Sequence, residues 1–182
     1  MVVKPYGEMV AANAALEVLS AGAAPFLLEP PVNVLRLALH PDGVARRVLN
    51  LPEWGRHIIE NLRVRSQRSP DPQLDAFIAE LESYVPAMTP GPNHLGFAVP
   101  LRLRCDDDEL QLITTLTSFA TAVDIAVSEL ELEAFLPADA PSARILERAH
   151  REREVRRSGR RFRRTKGSLG ASTPTPEARS RR

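Results

Sequence analysis

The spacing of hydrophobic positions changes several times along this chain, and each change marks an element. Val2-Val3 and Met9-Val10 flank Pro5-Tyr6-Gly7, a pattern that predicts two brief strands about a turn. Asn13 then reads as a helix N-cap, since its side-chain oxygen can accept from the free amides of the next turn. Gly22 reads as the stop of that helix. Pro25, Pro30 and Pro31 mark a loop. From Asn33 to His40 two periods compete: Leu35, Leu37 and Leu39 alternate as in a strand, while Val34, Leu37 and Ala38 fit one helical face. Asn33 as cap and Pro41-Asp42-Gly43 as terminator favour a short helix.

Two amphipathic helices are predicted next. Asn50-Leu51-Pro52-Glu53 supplies a capping residue, an early proline and an acid in the first turn. Trp54, Ile58, Leu62 and Val64 or Arg65 then trace an apolar stripe. After Ser69-Pro70-Asp71-Pro72, Leu74, Phe77, Ile78, Leu81 and Tyr84 repeat at helical spacing. Val85 to Asn93, rich in proline, is a loop. From Val99 the period falls to two. Val99 to Arg104, an acidic turn at Cys105-Asp106-Asp107-Asp108, and the Thr-rich Leu110 to Phe119 form a hairpin. Val123 to Val127 is strand-like. Glu129 to Pro137 is either its continuation or the bridge to a last helix, from Pro141 to about Arg151. Strands, a helical middle and returning strands give an α+β order, which fits a PAS-like curved antiparallel sheet covered by helices, with a small-molecule pocket between them.

Composition narrows the class. The chain has 182 residues, 43% of them hydrophobic and 26% charged, enough for one domain with a real core plus a tail. A single cysteine, Cys105, rules out an internal disulfide and a Cys-based zinc cluster. No apolar run nears the roughly 20 residues of a membrane span, and the N-terminus is no signal peptide; a cytoplasmic protein with no membrane contact is the expectation. The net charge of +1 hides an asymmetry: residues 1–143 hold 10 Lys and Arg against 19 Asp and Glu, a net of −9, and residues 144–182 hold 14 against 4, a net of +10. Domains are therefore expected at 1–150 and at 151–182, the latter a basic, low-complexity tail whose stretch from Arg156 on, without apolar period, should be disordered. Arg156, Arg157, Arg160, Arg161, Arg163, Arg164 and Lys166 can neutralise phosphates, so weak, salt-dependent nucleic-acid contact is one reading and a solvated appendage the other.

Several segments taken in order carry a resemblance. Gly7 to Ala15, Pro31 to Gly43, Asn50 to Trp54, Val99 to Arg104 and Glu129 to Asp139 together resemble the ligand-binding domain of MmyB-like transcription regulators, over roughly residues 2 to 150. The resemblance implies a PAS-like, non-enzymatic sensor of an apolar, fatty-acid-type molecule, without cofactor, set behind an Xre/Cro-type helix-turn-helix domain. It places Met1 inside the first strand, so the DNA-binding half is expected to be missing, and DNA contact is left to that domain or weakly to the tail. A homodimer is compatible with this role. The Arg-rich, Lys-poor composition fits a high-GC genome such as an actinobacterium's, a group with many such regulators.

Candidate ligand contacts follow. Arg36 and His40, four apart, are either a cation pair at the pocket mouth, ready for a ligand carboxylate, or a surface arginine and a helix-ending histidine. Asn33 is a cap or a contact. Trp54 covers the core or lines the pocket. Apolar lining is expected from Leu37, Ile58 and Leu62 on helices and from Leu101, Leu103, Leu112, Leu116 and Phe119 on strands. No metal site is expected: consecutive acids at a hairpin tip splay apart, and His40, His57, His94 and His150 lack ligand spacing. No nucleophile-elbow or phosphate-loop motif is present. Two alternatives stand beside the sensor: an interaction or nucleic-acid-tethering protein working through its tail, and a small enzyme on a PAS-like or cystatin-like scaffold.

Overall fold

A computed structural model describes residues 1–87, 99–106, 108–118 and 130–168, with side chains as far as Arg156. Five strands form one antiparallel sheet: β1 (Val2–Val3), β2 (Met9–Ala11), β3 (Leu101–Cys105), β4 (Asp108–Ser118) and β5 (Glu131–Pro137), in the order β2-β1-β5-β4-β3. Helices α1 (Leu16–Leu19), α2 (Val34–Leu39), α3 (Leu51–Arg68) and α4 (Pro72–Tyr84) lie between β2 and β3, and α5 (Ala140–Ser168) follows β5. The α+β expectation holds, with one antiparallel sheet and helices packed on it. The compact body is residues 1–146; residues 147–182 form a separate unit.

The N-terminal turn is tight because Tyr6 and Gly7 both take positive φ, 66° and 81°. Glycine accepts this freely, and a Cβ at Gly7 would strike the Leu35 side chain. Asn33 resolves the ambiguity of its segment. Its Oδ1 accepts from the Leu35 and Arg36 amides at 3.1 and 3.0 Å, while its Nδ2 donates to the Tyr6 carbonyl at 2.8 Å. One side chain thus caps α2 and ties it to the turn before β2. Asp71 caps α4 by accepting from the Gln73 amide. The Tyr6 hydroxyl donates to the same carboxylate, and chiefly this bond holds Asp71 below the usual carboxylate range.

Three local expectations are corrected. Asn50 does not cap α3; its Nδ2 donates to the Pro100 carbonyl and its Oδ1 accepts from the Arg102 amide, so it pins the helix to β3. A cap competes with any other partner for the same oxygen, and here the strand prevails. Helix α1 is a single turn, with Asn13 accepting from the Ala15 amide ahead of it. Helix α5 runs past Arg151 to Ser168, so the expected disorder from Arg156 does not describe the backbone of residues 156–168. Arg and Glu are good helix formers even without an apolar face, and the pairs Glu147–Arg151, His150–Glu154 and Glu152–Arg156 sit one helical turn apart. Within the stretch Glu129 to Pro137, the residues Glu131–Pro137 prove to be strand, as β5. The strand-like Val123 to Val127 lies outside the described residues.

The core gathers where α2, α3 and α4 meet β3 and the first half of β4. Leu39, Leu81, Leu103, Leu110 and Leu112 are fully buried. Strand β3 alternates cleanly, Leu101 and Leu103 inward and Arg102 and Arg104 outward, with Arg102 bidentate to Glu109 on β4.

Candidate functional site

Farther along the sheet the filling changes. Between α2 and α3 on one side and β1, β4 and β5 on the other lies a cleft of about 560 Å³, within the roughly 300–1,000 Å³ of small-molecule sites. Its helical wall follows the stripe of α3: Trp54, Ile58, Leu62 and Arg65 all face it, with His57, Asn61 and Arg68 alongside. Val34, Leu35 and Ala38 of α2 close one side, and Thr114, Leu116, Glu131, Glu133 and Phe135 form the sheet wall.

The two ends differ in character. At 1.5 Å rise per residue, Trp54 and Arg65 stand roughly 16 Å apart along α3. The Trp54 and Ile58 end is largely apolar, with His57 beside them. At the other end Arg65 reaches Glu131 of β5 at 3.5 Å and lies 5.8 Å from the centre of the Tyr6 ring. Arg68 lines the same end and has no ion-pair partner among the described residues.

The sheet wall is unusual. Cross-strand pairs Thr114–Phe135, Leu116–Glu133 and Ser118–Glu131 put residues 131, 133 and 135 of β5 on the cleft face, since cross-strand partners share a face. The alternate residues Leu132 and Leu136 point outward and are 40% and 50% exposed. Strand β5 therefore turns two carboxylates inward and two leucines outward, the reverse of β3. Glu131 is met by Arg65. Glu133 has no side-chain hydrogen bond or ion pair among the described residues. Burial raises its carboxyl to about 7, with Glu131 pushing the same way and the Met1 amine opposing. The Thr114 hydroxyl oxygen is buried without a partner. A smaller hollow of about 320 Å³ flanks β5, bounded by Leu16, Leu19, Leu132, Leu136 and Leu146, and Glu133 borders it too.

The structure brings together only part of the predicted lining. Trp54, Ile58, Leu62 and Leu116 meet in the cleft. Leu37, Leu101, Leu103 and Leu112 are instead packed in the solid core, because these positions of α2, β3 and β4 face the well-filled half of the sheet. Arg36 is committed elsewhere: Nε and Nη2 grip Glu80 at 2.6 and 2.7 Å while the guanidinium lies over Phe77. That grip holds Glu80 below the usual carboxylate range, helped by the Tyr84 hydroxyl. His40 sits edge-on between Phe26 and Tyr84, its Nδ1 accepting from the Asp42 amide. Asn33 is occupied as a cap. Phe119 lies outside the described residues, as do the side chains of Arg157, Arg160, Arg161, Arg163, Arg164 and Lys166. Arg68, Thr114 and Glu133 were not singled out by sequence; the signal available was the charge at alternate positions of Glu129-Leu130-Glu131-Leu132-Glu133. Among the described residues no cluster of three His, Cys, Asp or Glu could hold a metal ion, and no helix is long and apolar enough to cross a membrane.

A one-sheet domain with a two-ended, largely apolar cleft is a binding domain in its architecture. The chain belongs to the MmyB-like transcription regulator ligand binding domain family, whose model matches residues 1–149. It is thus a ligand-sensing domain of a transcription regulator. No curated protein and no solved structure matches it.

Proposed function

We propose that the cleft binds an amphiphile of fatty-acid type and that its occupancy is what the regulator senses. The observation that carries this is the pairing of an apolar end at Trp54 and Ile58 with a cationic end at Arg65 and Arg68 in one cleft. An acyl chain gains about 25 cal/mol for each Å² of apolar surface removed from water, so it needs few polar contacts. A carboxylate head group would be met by Arg68 and by Arg65, whose pairing with Glu131 is long enough to be exchanged. Arg36 and His40, the cations nominated by sequence, already have other partners.

Trp54 is the sole tryptophan and lines the cleft, so its emission reports on occupancy. Titration with myristate is expected to change that emission saturably and to raise the melting temperature, as any ligand selective for the folded state does. An unchanged emission and melting temperature up to the solubility limit of myristate would overturn the reading.

A second reading rests on α5. Its backbone stays helical through the run Arg156 to Lys166, so the basic run of the sequence lies within one helix, which suits non-specific contact with a phosphate backbone. Salt-sensitive DNA retention lost on deleting residues 156–182 supports it; retention unaffected by that deletion removes it.

A further inference from the structure

Strand β5 breaks the inside-outside rule at the place where an apolar cleft would be best served by obeying it. Strands against a core alternate apolar inward and polar outward, and sequences depart from such rules chiefly at functional sites. Here Glu133 takes a cleft position flanked by Leu116 and Phe135, and Leu132 and Leu136 lie on the opposite face, half-exposed beside the smaller hollow. Diagonally across the β4–β5 ladder, Thr114 lines the same cleft with a buried hydroxyl that has no partner. Buried polar groups without partners are rare in folded proteins and call for an explanation. Thr114 is such a group, and Glu133, whose side chain makes no hydrogen bond among the described residues, stands near it on the adjacent strand and the same face, so the two offer hydrogen-bonding atoms within a largely apolar wall.

We propose that Glu133 and Thr114 form a polar subsite partway along the cleft that takes a hydroxyl group carried on the acyl chain. This rests on the fatty-acid-type reading above. A hydroxyl suits the pair because it both donates and accepts: its O–H donates to a Glu133 carboxyl oxygen, and its oxygen accepts from the Thr114 hydroxyl once that group turns toward it about χ1. A cationic group is disfavoured by Arg65 and Arg68 in the same cleft. The raised pKa of Glu133 agrees with an apolar setting that keeps the carboxyl partly protonated near neutral pH. Sites built to hydrogen-bond a hydroxyl reject the analogue that lacks it, because their own buried groups are then left unpaired.

The test compares ricinoleate with oleate, which differ by one mid-chain hydroxyl, by calorimetric titration of the full chain. Ricinoleate is expected to bind on the order of ten-fold tighter. Glu133→Leu and Thr114→Val should each shrink that preference to about two-fold or less while leaving oleate bound as well or better, and Glu133→Gln, which keeps size and hydrogen-bonding atoms, should retain most of it. Equal affinity for both ligands in the unaltered protein overturns the subsite and leaves the acyl cleft standing, as does a preference that survives both Glu133→Leu and Thr114→Val. Failure of both ligands to bind overturns the acyl-chain reading and the subsite together.

Discussion

The two halves of the sheet are built from similar strands and serve different ends. On the β3 side, alternation is strict, leucines interdigitate with α2 to α4, and the outward arginines pair or stay in water. On the β5 side the same period runs in the opposite phase, and the space beneath it is a cleft rather than a core. Strand β4 passes through both: Leu110 and Leu112 are fully buried, whereas Leu116, on the same face, is 60% exposed. The fold is secured by one half, and the other can therefore carry unpaired polar groups and an unfilled hollow without unfolding the domain.

The largest expected effect lies in the solid half. Leu103→Ala should cost about 2–5 kcal/mol in denaturant unfolding, through lost burial and a cavity that its neighbours cannot close. Leu116→Ala, on the same sheet face but over the cleft, should cost under about 1 kcal/mol. Equal costs would show that the halves do not differ.

Next comes the pH dependence of stability. Glu133 is an acid whose folded-state pKa, about 7, exceeds its ordinary 4.5. The folded state therefore holds the proton more tightly, so stability is highest below about 4.5 and falls as pH rises through 7, by roughly 3 kcal/mol at most. Asp71, Glu80 and Glu109, all lowered by hydrogen bonds, act oppositely and only in more acid solution. Glu133→Gln should flatten the unfolding free energy between pH 5 and 7. A slope unchanged by that substitution contradicts the placement of the carboxyl against the cleft.

How much of this could be read from the chain alone follows from the same contrast. The β3–β4 hairpin, α3 and α4 were legible because burial imposes a period and caps punctuate it, as at Asp71. The membership of Trp54, Ile58 and Leu62 in one wall was legible for that reason. The assignment of Leu101, Leu103 and Leu112 to the pocket missed because period two gives the face of a strand but not what lies opposite; a filled core and an empty cleft ask for the same leucines. For Arg36 and His40 the chain alone left two readings open, because the partners that commit them, Glu80 and Tyr84, are distant in sequence. Asn50 missed because a capping residue looks the same whichever amide its oxygen accepts from.

Smaller effects sharpen the picture. Asn33→Ala should cost about 1–2 kcal/mol, since it removes a double cap and the tie to Tyr6. Leu136→Lys, on the outward face of β5, should change stability by no more than about 0.5 kcal/mol; a loss of several times that would show that this face is covered.

The most direct measurement is calorimetric titration of myristate into the unaltered protein and into Leu62→Trp, whose larger ring fills the middle of the cleft. The account predicts saturable heat with the unaltered protein, none with Leu62→Trp, and melting temperatures within a few degrees of each other in the absence of myristate. Undiminished binding by a folded Leu62→Trp protein would contradict it.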